Sequence, residues 1–437
     1  MSAAKIAVVG AGLAGLTIAL RLHQKGYDVQ LYEARQRVGG RVLTALMKNA
    51  SGDYSTAELG GQSISDGGES NCLLKLALDF ELSIERKAVP NLFTVCTGQS
   101  YLALQDLLAR QNLTDEKITQ AAIGCRSMAE VLDKLFQNNA LLKMVFTSRL
   151  CGYEGLKTQD QSVYHNIETL KSMVSGRLSA LLDDSGWVHN SIRGGNAQLP
   201  LRIAKMLSDR IHLQKVLARV SNENKKIKLS FVDGSDAYCE KLVLAVPAPV
   251  YSSIEFEPDV VPQQQLQAIQ SVQCGTNQKV LVPTSRPHIG YDGTMITEKL
   301  VSFFNLAADV LIMYFLRPED LSFFDEQLLI LQKGYTDVGE GTQTLVQAED
   351  RQLIKYDSAV THCWLADPYA QGSFSGYNAL LSSSLDNKVS YKGIVIKEIF
   401  QPVKERVFFV GEHTTILNEV GTMEAAVESG ERMARLF

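Results

Sequence analysis

Short, nearly all-apolar runs alternate along this chain with stretches whose apolar residues recur at helical intervals. Residues 5–9 (KIAVV) carry four apolar side chains in succession, the pattern of a parallel strand buried on both faces. Leu16, Ile18, Ala19, Leu20 and Leu22 then follow at helix-compatible spacing, Gly26 ends that helix, and residues 28–32 (DVQLY) read as a second strand. Farther on, Arg193-Gly194-Gly195-Asn196-Ala197-Gln198-Leu199 opens an amphipathic stretch that runs through Leu207. It precedes expected strands at 211–220, 226–232 and 241–246, with Asp233-Gly234 as a hairpin turn. Residues 407–410 form a last apolar strand before a closing helix. Of the remaining segments, 81–190 reads as mainly helical, with Met128, Val131, Leu132 and Leu135 in register, and 256–395 mixes strands and helices.

The junction of the first strand and helix carries the first chemistry. Gly10-Ala11-Gly12-Leu13-Ala14-Gly15 places glycine where a dinucleotide-binding turn needs it: Gly10 for the tight turn, Gly12 for backbone approach to a pyrophosphate, Gly15 for close helix–strand contact. The helix N-terminus supplies unpaired N–H groups and the positive end of its dipole. Glu33 ends the second strand roughly 20 positions after Gly10, where an acid meets a ribose 2′-hydroxyl. NAD or FAD is therefore favoured over NADP. The expected class is α/β: a Rossmann-like dinucleotide domain, a central parallel sheet plus a β-meander, with a second α+β domain.

Composition narrows the partners. With 437 residues, 45% of them hydrophobic, the chain can bury two cores, and 43 basic against 48 acidic residues leave a net charge of -5. No nucleic-acid partner is implied, because the densest basic cluster, Lys225, Lys226 and Lys228, falls on an expected hairpin tip. The seven cysteines are scattered and odd in number, which suits reduced thiols and offers no metal-ligand spacing. Only Met1–Ala4 precede the first strand, and no apolar run approaches the roughly 18–20 residues that span a bilayer. A cytoplasmic protein without signal peptide, membrane or metal is expected.

Arg37-Val38-Gly39-Gly40-Arg41, just after the second strand, resembles the R-x-G-G-R signature of the FAD-containing amine oxidase superfamily, whose fold is similar to the glutathione-reductase type. Gly411-Glu412-His413-Thr414 and Gly421-Thr422-Met423-Glu424-Ala425-Ala426-Val427-Glu428-Ser429-Gly430 look like that family's closing blocks. The resemblance implies a two-domain enzyme, with residues 1–80, 191–255 and 396–437 binding FAD and 81–190 and 256–395 binding substrate. It places Gly10, Gly12, Leu13, Ala14, Gly15, Glu33, Ala34, Arg35, Gly39, Gly40, Arg41, Gly60, Gly61, Leu217, Gly411, Glu412, Thr422 and Met423 against the cofactor. Within that set, Gly40 and Arg41 lie on the pyrophosphate, Leu217 meets the adenine through its backbone, and Glu412 meets a ribityl hydroxyl. Thr422 is an N-cap for the last helix, whose first N–H groups face the flavin pyrimidine. His413 reads as a buried histidine fixed by hydrogen bonds rather than as a base.

The same resemblance supplies the catalytic expectations. Lys279 is similar to the family lysine that holds a water at flavin N5. Trp364-Leu365-Ala366-Asp367-Pro368 and Gly372-Ser373-Phe374-Ser375 resemble the family's W-x-x-D-P and G-S-Y-S elements. Trp364 then packs near the ring, and Phe374 and Thr422 flank the substrate where monoamine oxidases have two tyrosines. Ser373 stands where those enzymes bond a cysteine to the flavin, so FAD is expected to be non-covalent. Ser63 replaces the carboxylate-binding arginine of L-amino acid oxidases, which argues against α-amino acids unless Arg149 or Arg193 serves. The implied reaction is transfer of a hydride equivalent from a primary or secondary amine, with O2 reduced to hydrogen peroxide. A flavin desaturase, a protoporphyrinogen oxidase-like enzyme, an L-amino acid oxidase and a non-catalytic flavoprotein remain as alternatives, and a homodimer is left open.

Overall fold

The structure is a computed structural model that describes residues 5–48, 54–64, 72–87, 93–97, 100–175, 189–283, 294–305, 310–331, 359–379, 387–418 and 420–437. Met1–Ala4, and with them the reading of a leader, lie outside the described residues.

The first apolar run forms the strand Lys5–Val9, the middle of five parallel strands in the order Val407–Phe409, Lys241–Leu244, Lys5–Val9, Asp28–Tyr32, Ile211–His212. Val9 stands opposite both Tyr32 and Leu244, so the strands end level at one rim. Three distant stretches of sequence thus meet in one sheet. One face is covered by the helices Leu13–Gln24, Gln198–Met206 and Met423–Ala434 around Leu16, Ile18, Leu20, Ile203 and Val427. The first and last of these cross closely: a Cβ on Gly430 would lie 2.8 Å from the Ala14 carbonyl oxygen. On the other face sits the meander of Asp236–Cys239, Lys226–Phe231 and Leu217–Glu223, with Glu255–Phe256 added parallel.

Two of the expected strands depart from the pattern by more than one residue. The run 211–220 splits into Ile211–His212, which joins the parallel sheet, and Leu217–Glu223, which starts the meander. Between them Gln214 takes φ +59°, and the N–H groups of Gln214 and Lys215 donate to Arg35 and Glu33 carbonyls. Leu213 is left 39% exposed on that corner. The run 241–246 ends as a strand at Leu244, where the Ala245 N–H still donates to the Val9 carbonyl. Of the basic cluster only Lys225 lies on the turn, at φ +67°, whereas Lys226 and Lys228 belong to the strand Lys226–Phe231.

The second layer is a seven-stranded sheet in the order Val360–His362, Gln278–Pro283, Val310–Phe315, Leu300–Asn305, Thr294–Ile296, Phe93–Cys96, Tyr101–Ala103. Helices Asp115–Ala122, Met128–Leu135, Ala140–Glu154 and Val163–Ser175 pack together around Met128, Val131, Phe146 and Leu170, in contact with Val95 and Ile296 of that sheet. Ser127 caps its helix by accepting from the Glu130 N–H.

Candidate active site

One cavity of about 1660 Å³ opens between these layers. Single-ligand pockets run to roughly 300–1,000 Å³, so this one has room for a dinucleotide and a second small molecule. Every residue named from the sequence as cofactor-binding or catalytic lines it except Gly15. Gly15 acts from behind: a Cβ there would lie 1.9 Å from the Gly10 carbonyl oxygen and 3.0 Å from the Ala245 Cβ. It keeps helix and strand in contact, as its place in the turn required.

The glycine turn fits a diphosphate on geometry alone. Gly10 takes φ +105° and would clash with the Ala245 carbonyl if it carried a Cβ, whereas a Cβ on Gly12 would meet nothing within 4 Å. Gly12 is the N-cap of Leu13–Gln24, so the first N–H groups of that helix have no helical acceptor. Gly39 and Gly40 close over this turn: the Gly39 N–H donates to the Ala11 carbonyl at 2.8 Å, and a Cβ on Gly40 would come within 3.2 Å of the Gly12 Cα. Glu33 is 3% exposed, and its carboxylate accepts the Ala11 N–H at 2.7 Å and the Arg35 N–H at 2.8 Å. The acid therefore braces the turn while lining the cavity. A cradle of glycine backbone, orphan N–H groups and a braced carboxylate is what an extended FAD requires.

At the other end, the 58–62 backbone is held by Lys279. The ammonium, 5% exposed, donates to the carbonyls of Glu58 (2.9 Å) and Gly60 (2.9 Å) and to Gln62 Oε1 (3.0 Å). Burial brings this lysine down to about 8, with Glu58 opposing the shift. All three donors are taken, so a water can be held only in place of one of these acceptors, and the Gln62 side chain is the one able to swing aside. A surface lysine on a strand edge is excluded. Trp364 donates Nε1–H to the Leu59 carbonyl at 3.1 Å, fixing the same segment. Phe374 is wedged between glycines, since Cβ atoms on Gly155 and Gly421 would meet its ring at 3.0 and 2.8 Å. Ser373 Oγ donates to Asn277 Oδ1 at 2.8 Å. Thr422 caps the helix Met423–Ala434, its hydroxyl accepting from the Ala425 N–H at 3.0 Å.

Arg41 and Glu412 are tied to each other, which neither motif disclosed. Arg41 Nη1 donates to Glu412 Oε1 at 2.9 Å and to the Ser373 carbonyl at 3.1 Å. Glu412 also accepts from the Ser375 N–H and hydroxyl and from the Gly421 N–H. Burial alone would raise its carboxyl, but Arg41, His413 and Ser375 together hold it below the ordinary range. Glu412 thus joins three loops at the cavity wall. His413 corrects the sequence reading: no hydrogen bond fixes either ring nitrogen, and the ring is held edge-on to Phe400 at 5.2 Å and against Gly411. Burial lowers it to about 4, so it is neutral near pH 7.

Several lining residues had no sequence signal. Tyr314 faces Lys279 across the strand pair, with the ammonium 5.5 Å from its ring centroid, and only the register of the sheet brings them together. Asn277 lies two residues before Lys279 on the same side, and that alternation was its one available clue. No cluster of metal-binding side chains occurs among the described residues.

A dinucleotide cradle and a buried lysine thus meet on one cavity. The chain belongs to the family described as flavin containing amine oxidoreductase, which matches residues 13–107 and 91–436. It is 25% identical over 470 residues to amine oxidase [flavin-containing] B of Canis lupus familiaris, covering 98% of this chain and 85% of that protein. Against amine oxidase [flavin-containing] A of Sus scrofa the identity is 24%, covering 98% and 84%. Among solved structures, a putrescine oxidase redesigned for cofactor binding superposes with a TM-score of 0.75 at 18% identity, covering 99% of this chain and 98% of that one. Cyclohexylamine oxidase from Brevibacterium oxydans IH-35A gives 0.74 at 17%, with the same coverage. The protein is an FAD-dependent oxidoreductase acting on amines, with the mixed α/β fold expected from its sequence. No helix among the described residues is long and apolar enough to cross a membrane.

Proposed function

We propose that the chain oxidises a primary or secondary amine to an imine, which hydrolyses to the aldehyde, while dioxygen is reduced to hydrogen peroxide. The reading rests above all on Lys279, Trp364, Phe374 and Thr422 meeting on the cavity that the Gly10–Gly15 turn opens into. Non-covalently bound FAD would supply the redox chemistry, as the acceptor of a hydride equivalent from the amine and the donor of electrons to oxygen. Residues 1–80, 191–255 and 396–437 form the Rossmann-like FAD domain, and 81–190 and 256–395 the substrate domain.

In this reading Gly10, Gly12, Leu13, Ala14, Gly39, Gly40 and Arg41 hold the diphosphate. Glu33, Ala34, Arg35 and Leu217 hold the adenosine end. Gly60, Gly61, Gly411, Glu412, Thr422 and Met423 border the flavin end. The hydroxyl of Thr422 orients the first turn of the last helix, whose unpaired N–H groups stabilise negative charge placed before them. Phe374 and Trp364 exclude water, and that burial, with the Lys279 cation nearby, keeps a substrate amine neutral. Below pH ~8 the same cation stabilises negative charge developing on oxygen. The unpaired cysteines suit a cytoplasmic location.

The test is peroxide release from a panel of simple amines, with flavin reoxidation followed in wild type and Lys279→Met. Peroxide from amines, and slower reoxidation with FAD retained in the variant, support the assignment. An unchanged reoxidation rate removes Lys279 from it.

A further inference from the structure

The cavity contains a second buried cation, for which the reaction just described has no use. Arg149, on the helix Ala140–Glu154, is 8% exposed and lines the cavity. Its guanidinium makes one hydrogen bond, from Nη1 to the Met173 carbonyl at 3.1 Å, and lies 4.3 Å from the Phe93 ring centroid and 5.9 Å from that of Phe146. No carboxylate pairs with it among the described residues. A guanidinium carries five N–H donors in a planar fork, and those of Arg149 left without a partner are not sealed in the core, so they face the cavity. The contrast is Arg432, equally buried at 5%, which is bound by Glu428 and the Thr414 carbonyl. A buried cation with no counter-ion is a costly arrangement that ring stacking only partly offsets. Burial brings Arg149 down to about 10, which leaves it charged at neutral pH.

We propose that Arg149 receives a carboxylate of the substrate, so that the amine oxidised carries its acid group at the end remote from the nitrogen. The proposal rests on the amine oxidase reading and names the substrate class of that site. Its position disfavours an α-amino acid. Gly155, which ends the Arg149 helix, abuts Phe374, and Arg149 precedes it by about 9 Å of helix at 1.5 Å per residue. Helical side chains lean toward the N-terminus, which carries the guanidinium farther from the aromatic wall. In an α-amino acid the carboxylate adjoins the carbon that is oxidised, whereas a chain of several methylenes separates the two as the cavity does. A diamine would present its second ammonium to a cation. The acids nearby do not reverse this: Glu85 is paired with Arg193, and Glu154 is itself engaged.

The test uses the FAD-loaded enzyme and straight-chain substrates of matched length: an ω-amino carboxylate, the alkylamine lacking the acid, the diamine, and an α-amino acid. Turnover is measured in wild type, Arg149→Met and Arg149→Lys. Separately, a straight-chain monocarboxylate without an amine is titrated while the flavin spectrum and the melting temperature are followed. The expected result is a wild-type kcat/KM at least tenfold higher for the ω-amino carboxylate than for the alkylamine. That ratio should collapse at least tenfold in Arg149→Met and be partly kept in Arg149→Lys, and the monocarboxylate should raise the melting temperature of wild type but not of the Met variant. A wild type indifferent to the acid group, or a Met variant that keeps the preference, overturns the proposal. If the Met variant does not fold, the wild-type ratio and the Lys variant decide. If no amine reduces the flavin but the monocarboxylate still stabilises wild type alone, the anion site stands and only the oxidase reading fails.

Discussion

Gly12→Ala separates the fold of this protein from its cofactor site. Gly12 has φ −73° and ψ 178°, open to any L-residue, and a Cβ built on it meets nothing within 4 Å. Alanine there reduces the freedom of the unfolded chain by an amount worth about 0.4–1 kcal/mol, while its poorer fit to an N-cap costs about the same. The apoprotein should therefore be as stable as wild type to within about 1 kcal/mol. The open space beside Gly12 is where the account puts the diphosphate, and a methyl group would occupy it. Loss of one charge-assisted contact, at roughly 1.5–3 kcal/mol, weakens FAD binding about ten- to hundredfold. Gly15→Ala is the control: its Cβ would lie 1.9 Å from the Gly10 carbonyl oxygen, so it should lose stability and FAD together. The assay is thermal melting of the stripped protein, then FAD titration by flavin fluorescence. A Gly12→Ala protein that binds FAD as wild type does, or an apoprotein that fails to fold, refutes the reasoning.

Other outcomes follow from the same geometry. Lys279 titrates at about 8 in the fold against 10.5 when unfolded, so the unfolded chain holds the extra proton between those pH values. Stability should rise by roughly 3 kcal/mol across that window, and denaturant melts of Lys279→Met should lack the rise. Thr422→Ala removes the cap on the Ala425 N–H and should cost about 1 kcal/mol in a thermal melt. Glu412→Gln removes the charge paired with Arg41, whose side chain is 20% exposed, and weakens the charge-assisted bonds that Glu412 accepts, so it should destabilise by roughly 1.5–3 kcal/mol. A melt within experimental scatter of wild type would show that Arg41 finds another partner.

What the sequence disclosed was local. The strand, glycine turn, helix and acid of residues 5–33 could be read because each constraint acts within a few residues, and Thr422 as a cap needs only its own helix. What it hid depends on pairing across the chain. Arg41 and Glu412 lie 371 positions apart, and no pattern around either shows that they meet. The break at Gln214 is a backbone conformation forced by contacts to Glu33 and Arg35. The partners of Lys279 come from a loop 219 and 221 positions away. For Arg149 the telling fact is that no carboxylate among the described residues pairs with it, which is visible only once the surroundings are assembled.

The central claim is that the cavity holds FAD with a reducible end open to an amine. An anaerobic titration of the purified, FAD-loaded chain tests it most directly. The flavin absorbance should bleach with one equivalent of a suitable amine per flavin and return, with peroxide, when air is admitted. A chain that takes up no FAD, or whose bound flavin stays oxidised with every amine offered, contradicts it.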